Sequence, residues 1–171
     1  MFNGPAGSGK LALALAFASY LLGERHDGHS LLTNNAATAN AEAMLGKWQH
    51  PDLHFSYPVI RPKGASSDRK ITSDDFAKEW RTLIGKTPYF TMDQWMTAMD
   101  AENQQAAIFE AESDALAHML NMKSAMGGYK VSLIWLPERM NITSANKLLK
   151  LLEEPPSQTV FLLVSEEPGR L

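Results

Sequence analysis

Hydrophobic positions along this chain gather in nearly unbroken runs and thin out between them. Residues 10–22, "KLALALAFASYLL", are rich in Ala and Leu and apolar on nearly every side, which predicts a helix buried against a sheet. Gly23 is placed to end it. The stretch after it reads as loop, "GERHDGHS", and then as an Ala- and Asn-rich run with a helix over 39–48. "LHFSYPVI", residues 53–60, predicts a short strand, closed by the Pro-, Gly- and Ser-rich loop "RPKGASSDRK". A helix capped by Ser73 then carries Phe76, Trp80, Leu83 and Ile84 on one face, and further helices are expected over 92–99 and over 103–122.

The last third carries the clearest pattern. "KVSLIWL" is apolar without alternation, as a central parallel strand covered on both faces should be. "SANKLLKLLEE" predicts a helix with a stripe of Leu148, Leu149, Leu151 and Leu152, stopped by Pro155 and Pro156. "TVFLLVS" predicts a second buried strand. Strand, helix and strand with short links make a βαβ unit, so the expected class is α/β with a mostly parallel sheet.

Length and charge narrow the functions. A chain of 171 residues is the size of one domain with a real core. Its net charge of −3 and lack of a basic cluster argue against unaided grip on DNA or on an anionic membrane. No cysteine is present, which excludes a disulfide framework and a thiolate zinc site. The apolar run 11–22 is too short to span a bilayer and follows a glycine loop instead of a basic leader, so a cytoplasmic protein without a membrane role is expected.

The candidate chemistry lies at the start. "GPAGSGKL", residues 4–11, matches the phosphate-binding loop G-x-x-x-x-G-K-[ST] up to its last position, where Leu11 replaces the hydroxyl that would ligate magnesium. A glycine loop opening a buried helix aims backbone N–H groups and a helix dipole at a phosphate. The other magnesium ligands of such a site come from carboxylates ending a second strand, where this chain has Trp135 and Leu136. Glu138 lies just beyond and would have to swing back to serve. Two ligands missing at distant places point to a loop released from catalysis, a vestige formed by Gly4, Gly7, Ser8, Gly9, Lys10 and Leu11.

Other groups are weighed more briefly. His26, His29, His50 and His54 fall in two pairs, read as surface loop histidines in preference to a metal site. Met96, Met99, Met119, Met122 and Met126 are expected to fill core, and Glu153, Glu154, Glu166 and Glu167 to be solvated ends of elements.

Three segments, "FNGPAGSGK", "HPDLHF" and "GGYKVSLIWLPERMNITSANKLLKLLEEPPSQTVFLLVSEEPGRL", together resemble the bacterial DNA polymerase III clamp-loader ATPase family, in the family's order and across nearly the whole chain. The resemblance implies a phosphate-loop (AAA+) three-layer domain. Motor subunits of that family keep the hydroxyl and the acidic pair, whereas the delta-prime branch often lacks a working site, and Leu11, Trp135 and Leu136 put this chain on that branch. "IWLPERMN" and "NKLLKLLEEPP" are most similar to the Bacteroides-group form.

A stator role is what this implies: a subunit without ATPase activity, in a hetero-pentamer with delta and gamma/tau subunits, meeting the sliding clamp and primed DNA indirectly. The alternative is a gamma/tau-like motor that holds magnesium ATP with Glu138 or water in place of the lost ligands. Ser165 matches the position that senses the γ-phosphate in active relatives. No cofactor is required, no metal is expected, and weak metal-free binding of nucleotide, phosphate or sulfate is expected at the loop.

The family's four-cysteine zinc module has no counterpart here, so no zinc is carried over. Residues 64–104 look like an insertion, whose Trp80, Tyr89, Phe90 and Trp95 either seal a small subcore or form an exposed partner patch. The Ser-Arg-Cys segment, lid and collar of the family do not follow residue 171, and the short 1–3 stretch is a reduced first strand, so 1–171 is read as a fragment holding the AAA+ domain.

Overall fold

The structure, a computed structural model, describes residues 1–23, 36–62, 64–66 and 68–170. Four parallel strands form one sheet in the order β1-β4-β3-β2: β1 (Phe2–Asn3), β2 (Leu53–Ser56), β3 (Lys130–Trp135) and β4 (Thr159–Ser165). The helices are α1 (Lys10–Gly23), α2 (Ala36–Leu45), α3 (Ala77–Lys86), α4 (Met92–Ala98), α5 (Glu110–Asn121) and α6 (Ile142–Glu153). All six residues of β3 are buried, as a strand covered on both faces must be.

Alternation along the strands divides the core. Val131, Leu133, Trp135, Leu162 and Val164 face a cluster built by α1, α3 and α4. Ile134, with Phe161 and Leu163, faces a smaller one built by α5 and α6. Helices therefore cover both faces of a parallel sheet, which makes the fold α/β with three layers.

Several elements differ from the sequence reading. Helix α1 buries one face, with Leu11, Ala14, Leu15 and Ala18 against the sheet, while Leu13, Phe17 and Tyr20 lie exposed. An all-apolar helix does not announce which side the sheet takes, and the small alanines let the helix approach it. Strand β2 stops at Ser56. Pro58 cannot donate to a ladder, and Val59 instead pairs antiparallel with Ala107. That bridge, with a second one between Ile108 and Met140, holds 107–108 extended, so α5 starts at Glu110 and not near 103.

Ser73 is not a cap. Its hydroxyl accepts from the Tyr57 N–H (2.9 Å) and donates to the Tyr57 carbonyl (3.0 Å), while Asp75 accepts from the N–H of Thr72 (2.9 Å). Leu149 points away from the leucine stripe of α6 and is 54% exposed. The helix has its polar start in Asn141, whose side chain accepts from the Ser144 N–H at 2.8 Å.

The buried apolar side chains between 71 and 101 belong to the main core. Trp80 and Trp95 are fully buried and Phe90 nearly so, and their rings form one network with Tyr57 and Trp135 at centroid separations of 4.1 to 5.5 Å. Trp80, Phe90 and Trp95 thus join the main core instead of sealing a small subcore of their own, and Tyr89 alone among the four is exposed. Met96 and Met99 fill core as expected, but Met122 is exposed. Among the described residues no helix is long and apolar enough to cross a membrane.

Candidate functional site

The glycine loop runs from the end of β1 into α1. Its Gly4 N–H reaches the Ser165 carbonyl at 3.3 Å, which ties the loop to the end of β4. Gly7 (φ 74°) and Gly9 (φ 82°) take left-handed backbone that other residues adopt at a cost. The Gly9 carbonyl accepts from Leu13 N–H at 2.9 Å and so opens the helix. Gly4, Gly7, Ser8, Gly9, Lys10 and Leu11 thus form one continuous turn at the sheet's carboxyl edge, with Ser165 beside it.

Lys10 is where a phosphate-binding lysine would stand, yet its ammonium is already paired. Nζ donates to the Pro5 carbonyl (2.9 Å) and to Oε1 of Glu166 (3.1 Å), and the lysine side chain is only 7% exposed. Glu166 sits directly after β4, 156 residues away in sequence. It is therefore not the solvated end of an element that the sequence suggests, whereas Glu167, Glu153 and Glu154 are exposed.

A second carboxylate acts in the same way. Glu138 Oε1 accepts from the backbone N–H groups of Glu166 (2.8 Å) and Glu167 (3.1 Å). Leu136, at φ 56°, makes the left-handed turn that leads into the Pro137–Arg139 turn carrying Glu138. Successive N–H groups at the end of a strand are an anion-binding feature, and here an internal anion takes them. At this edge the Lys10 ammonium therefore faces Glu166, and the N–H groups that follow β4 face Glu138.

The space above the loop is filled from the 64–104 stretch. A Cβ on Gly9 would stand 3.3 Å from Cε1 of Tyr89, so the Tyr89 ring lies on the loop backbone. Between Gly7, Lys10, Pro88, Phe90, Trp135 and Glu166 about 10 Å³ remains, the room of a single water. Phe90 and Trp135 are in contact at 5.1 Å.

A magnesium nucleotide does not fit these residues. Leu11 is buried in the core, Trp135 and Leu136 offer no oxygen donor, and the cavity would have to open before a phosphate could enter. Ser165 is fully buried, and its hydroxyl has no partner among the described residues.

The histidines do not assemble. His50 is buried, with Nδ1 accepting from the Asp52 N–H (3.1 Å), and burial lowers its pKa against the opposing charge of Asp52. His54 Nε2 donates to Glu112 at 2.8 Å. His26 and His29 lie outside the described residues. No group of three metal-ligating side chains occurs among the described residues.

Two polar residues escaped the sequence reading. Glu112 is a buried carboxylate that also accepts from Ser56 Oγ (2.6 Å) and Ser73 N–H (2.7 Å). Burial pushes its pKa up, but the hydrogen bonds and the charge of His54 outweigh that and hold it below the usual carboxylate range. A lone Glu in a helical run gives no signal of burial. Asp52, within the His-Pro-Asp segment, binds Ser124 Oγ (2.9 Å) and the N–H groups of Ala125 (2.7 Å) and Met126 (2.9 Å), so it organises the loop before β3.

The DNA polymerase III subunit delta' of Pseudomonas aeruginosa is 30% identical over 171 residues, which is all of this chain and 38% of that protein. The subunit delta' of Escherichia coli K12 is 46% identical over 54 residues, 30% of this chain and 16% of the relative. The chain thus spans well under half the length of these relatives. A DNA polymerase III, gamma subunit-related protein of Thermotoga maritima aligns with 78% of this chain and 32% of its own at 18% identity, with a TM-score of 0.40. The family model described as DNA polymerase III, delta subunit, matches residues 1–171, and this chain belongs to that family, with delta-prime subunits among its relatives.

Proposed function

We propose that the protein carrying this chain is a non-catalytic stator of the DNA polymerase III clamp loader, with the chain as its AAA+ domain. The observation that supports this most is the Lys10–Glu166 pair at 3.1 Å beneath Tyr89. In a motor, arrival and loss of a γ-phosphate move the loop relative to the strand ends. Here Glu166 takes the lysine and Glu138 takes the N–H groups after β4, which ties the loop, β4 and the turn at Glu138 into one edge.

An edge tied in this way suits a subunit against which others move. Its partners in this reading are delta and gamma/tau subunits in a hetero-pentamer in the cytoplasm, with the clamp and primed DNA met through the assembly. No cofactor is required. Phosphate, sulfate or nucleotide would bind weakly and without metal at Gly7, Ser8, Gly9 and Lys10, because each must displace Glu166 and Tyr89 first. The buried Ser165 hydroxyl reports on no phosphate.

Reconstitution of the loader with the full-length protein bearing Lys10→Ala tests the reading. ATP hydrolysis and clamp loading by the assembled complex should stay within about twofold of wild type, since the lysine serves only an internal pair. A loss of about tenfold or more, equal to ~1.4 kcal/mol of barrier, with assembly intact, would mean that this loop works on nucleotide.

A further inference from the structure

At the end of the sheet opposite the glycine loop, where β3 and β4 begin, a lysine is buried without a carboxylate. Lys130 opens β3 and is only 6% exposed. Its ammonium donates to the Leu120 carbonyl and to the Met122 carbonyl (2.9 Å), both at the end of α5. The third N–H has no acceptor among the described residues. A charge taken out of water is normally paired with an opposite one, so an ammonium satisfied only by carbonyls leaves positive potential around it.

Lys130 lines a cavity of about 520 Å³ between the end of α5, the loop before β3 and the turn into β4. Cavities that hold small molecules run from roughly 300 to 1,000 Å³. Lys123 lines it too, and its ammonium has no partner among the described residues. None of the ten lining residues is Asp or Glu, a local reversal of sign in a chain of net charge −3. Asp52, which holds Ser124 of the wall, has both oxygens taken by Ser124 and by the N–H groups of Ala125 and Met126. Glu153 and Glu154, at the end of α6, are exposed and do not line the cavity.

Charge selects the ligand class. The carboxyl ends of α5 and α6 each bring about half a negative unit, and the two ammonium groups exceed that sum by about one. A phosphate monoester, with a charge of about −1.5 to −2 and three acceptor oxygens, can meet both lysines at once. Phosphate alone would leave the apolar wall of Leu120, Met122 and Pro156 uncovered. We propose that this cavity binds a small phosphate monoester, its phosphate held by Lys123 and Lys130 and its apolar body against Leu120, Met122 and Pro156. The site is separate from the glycine loop and does not rest on the stator reading.

The test is an NMR titration of the 15N-labelled protein with phenyl phosphate, inorganic phosphate and phenol. Amides of Lys123, Gly127 and Gln158 report on this cavity and those of Gly7 and Gly9 on the glycine loop, so the two sites are read apart. Phenyl phosphate should shift the first set saturably and bind at least about threefold more tightly than inorganic phosphate, while phenol should leave that set in place. Lys130→Met, which keeps the length and removes the charge, should weaken binding about tenfold or more. Lys123→Glu, at an exposed position, should do the same and keeps the test decisive if Lys130→Met does not fold. No saturable shift up to about 20 mM phenyl phosphate, or unchanged affinity in Lys123→Glu, would overturn the site. Equal binding of phenyl phosphate and inorganic phosphate would overturn its assignment to an ester.

Discussion

Replacing Glu166 with Gln removes the charge that Lys10 faces and leaves the side chain's shape nearly unchanged. At 3.1 Å the pair's gross attraction is about 5 kcal/mol at an effective dielectric of 20. Most of that is offset by desolvation, because the lysine is 7% exposed and the carboxylate 27%. The Pro5 carbonyl and the new amide oxygen still accept from Nζ. The net loss should therefore lie between an exposed pair and a fully buried one, at about 2 kcal/mol.

Urea unfolding reads this loss directly. With a slope of ~2 kcal/mol per molar, the midpoint of Glu166→Gln should fall by about 1 M. The second half of the prediction is more specific: an unpaired ammonium at a glycine loop is an anion site, so phosphate should return part of the stability to the variant. At ten times its dissociation constant, phosphate would restore ~1.4 kcal/mol. Phosphate also stabilises proteins through exclusion from their surfaces, so the quantity to compare is the variant's gain beyond that of wild type. An unchanged midpoint, or an equal phosphate response in both proteins, would refute the idea that Glu166 stands in for a phosphate.

Phe90→Ala should cost ~3–5 kcal/mol in urea unfolding, since the ring is buried against Trp80 and Trp135, whereas Tyr89→Ala, at an exposed position, should cost less than about 1 kcal/mol. Glu112 has a depressed pKa in the fold, so the unfolded chain binds its proton at higher pH; its contribution is present above pH 4.5 and is lost as pH falls through the folded value. Glu112→Gln should flatten that acid limb in a stability-versus-pH series, and an unchanged limb would count against the buried ionised carboxylate. Asp52→Asn should speed hydrogen exchange at the amides of Ala125 and Met126 by about tenfold or more, because each loses a charged acceptor worth ~1.5–3 kcal/mol.

The parts of the fold that were legible in the sequence are those set by local pattern. The unbroken runs at 130–136 and 159–165 with a helix between them can hardly be anything but parallel strands and their crossover, and they fold as β3, α6 and β4. The glycine loop, with Leu11, Trp135 and Leu136 in place of metal ligands, was equally readable from identity and spacing. What fills the loop was not. Glu166 meets Lys10 only because β4 lies beside β1 in the sheet, and Tyr89 reaches Gly9 through a stretch whose aromatic residues signal a core without saying where it sits. Long-range pairing also explains the late start of α5, since the bridge to Val59 overrides a helical pattern at 107. The burial of Glu112 depends on three groups converging on it, His54 and Ser56 from β2 and the Ser73 N–H, which no window of sequence contains.

The central claim is that this glycine loop is retired and internally occupied. Calorimetric titration of the protein with ATP, with and without magnesium and alongside a phosphate-release assay, tests it most directly. The account predicts no turnover and at most weak binding that magnesium does not strengthen. Magnesium-strengthened binding with turnover that Lys10→Ala abolishes would contradict it.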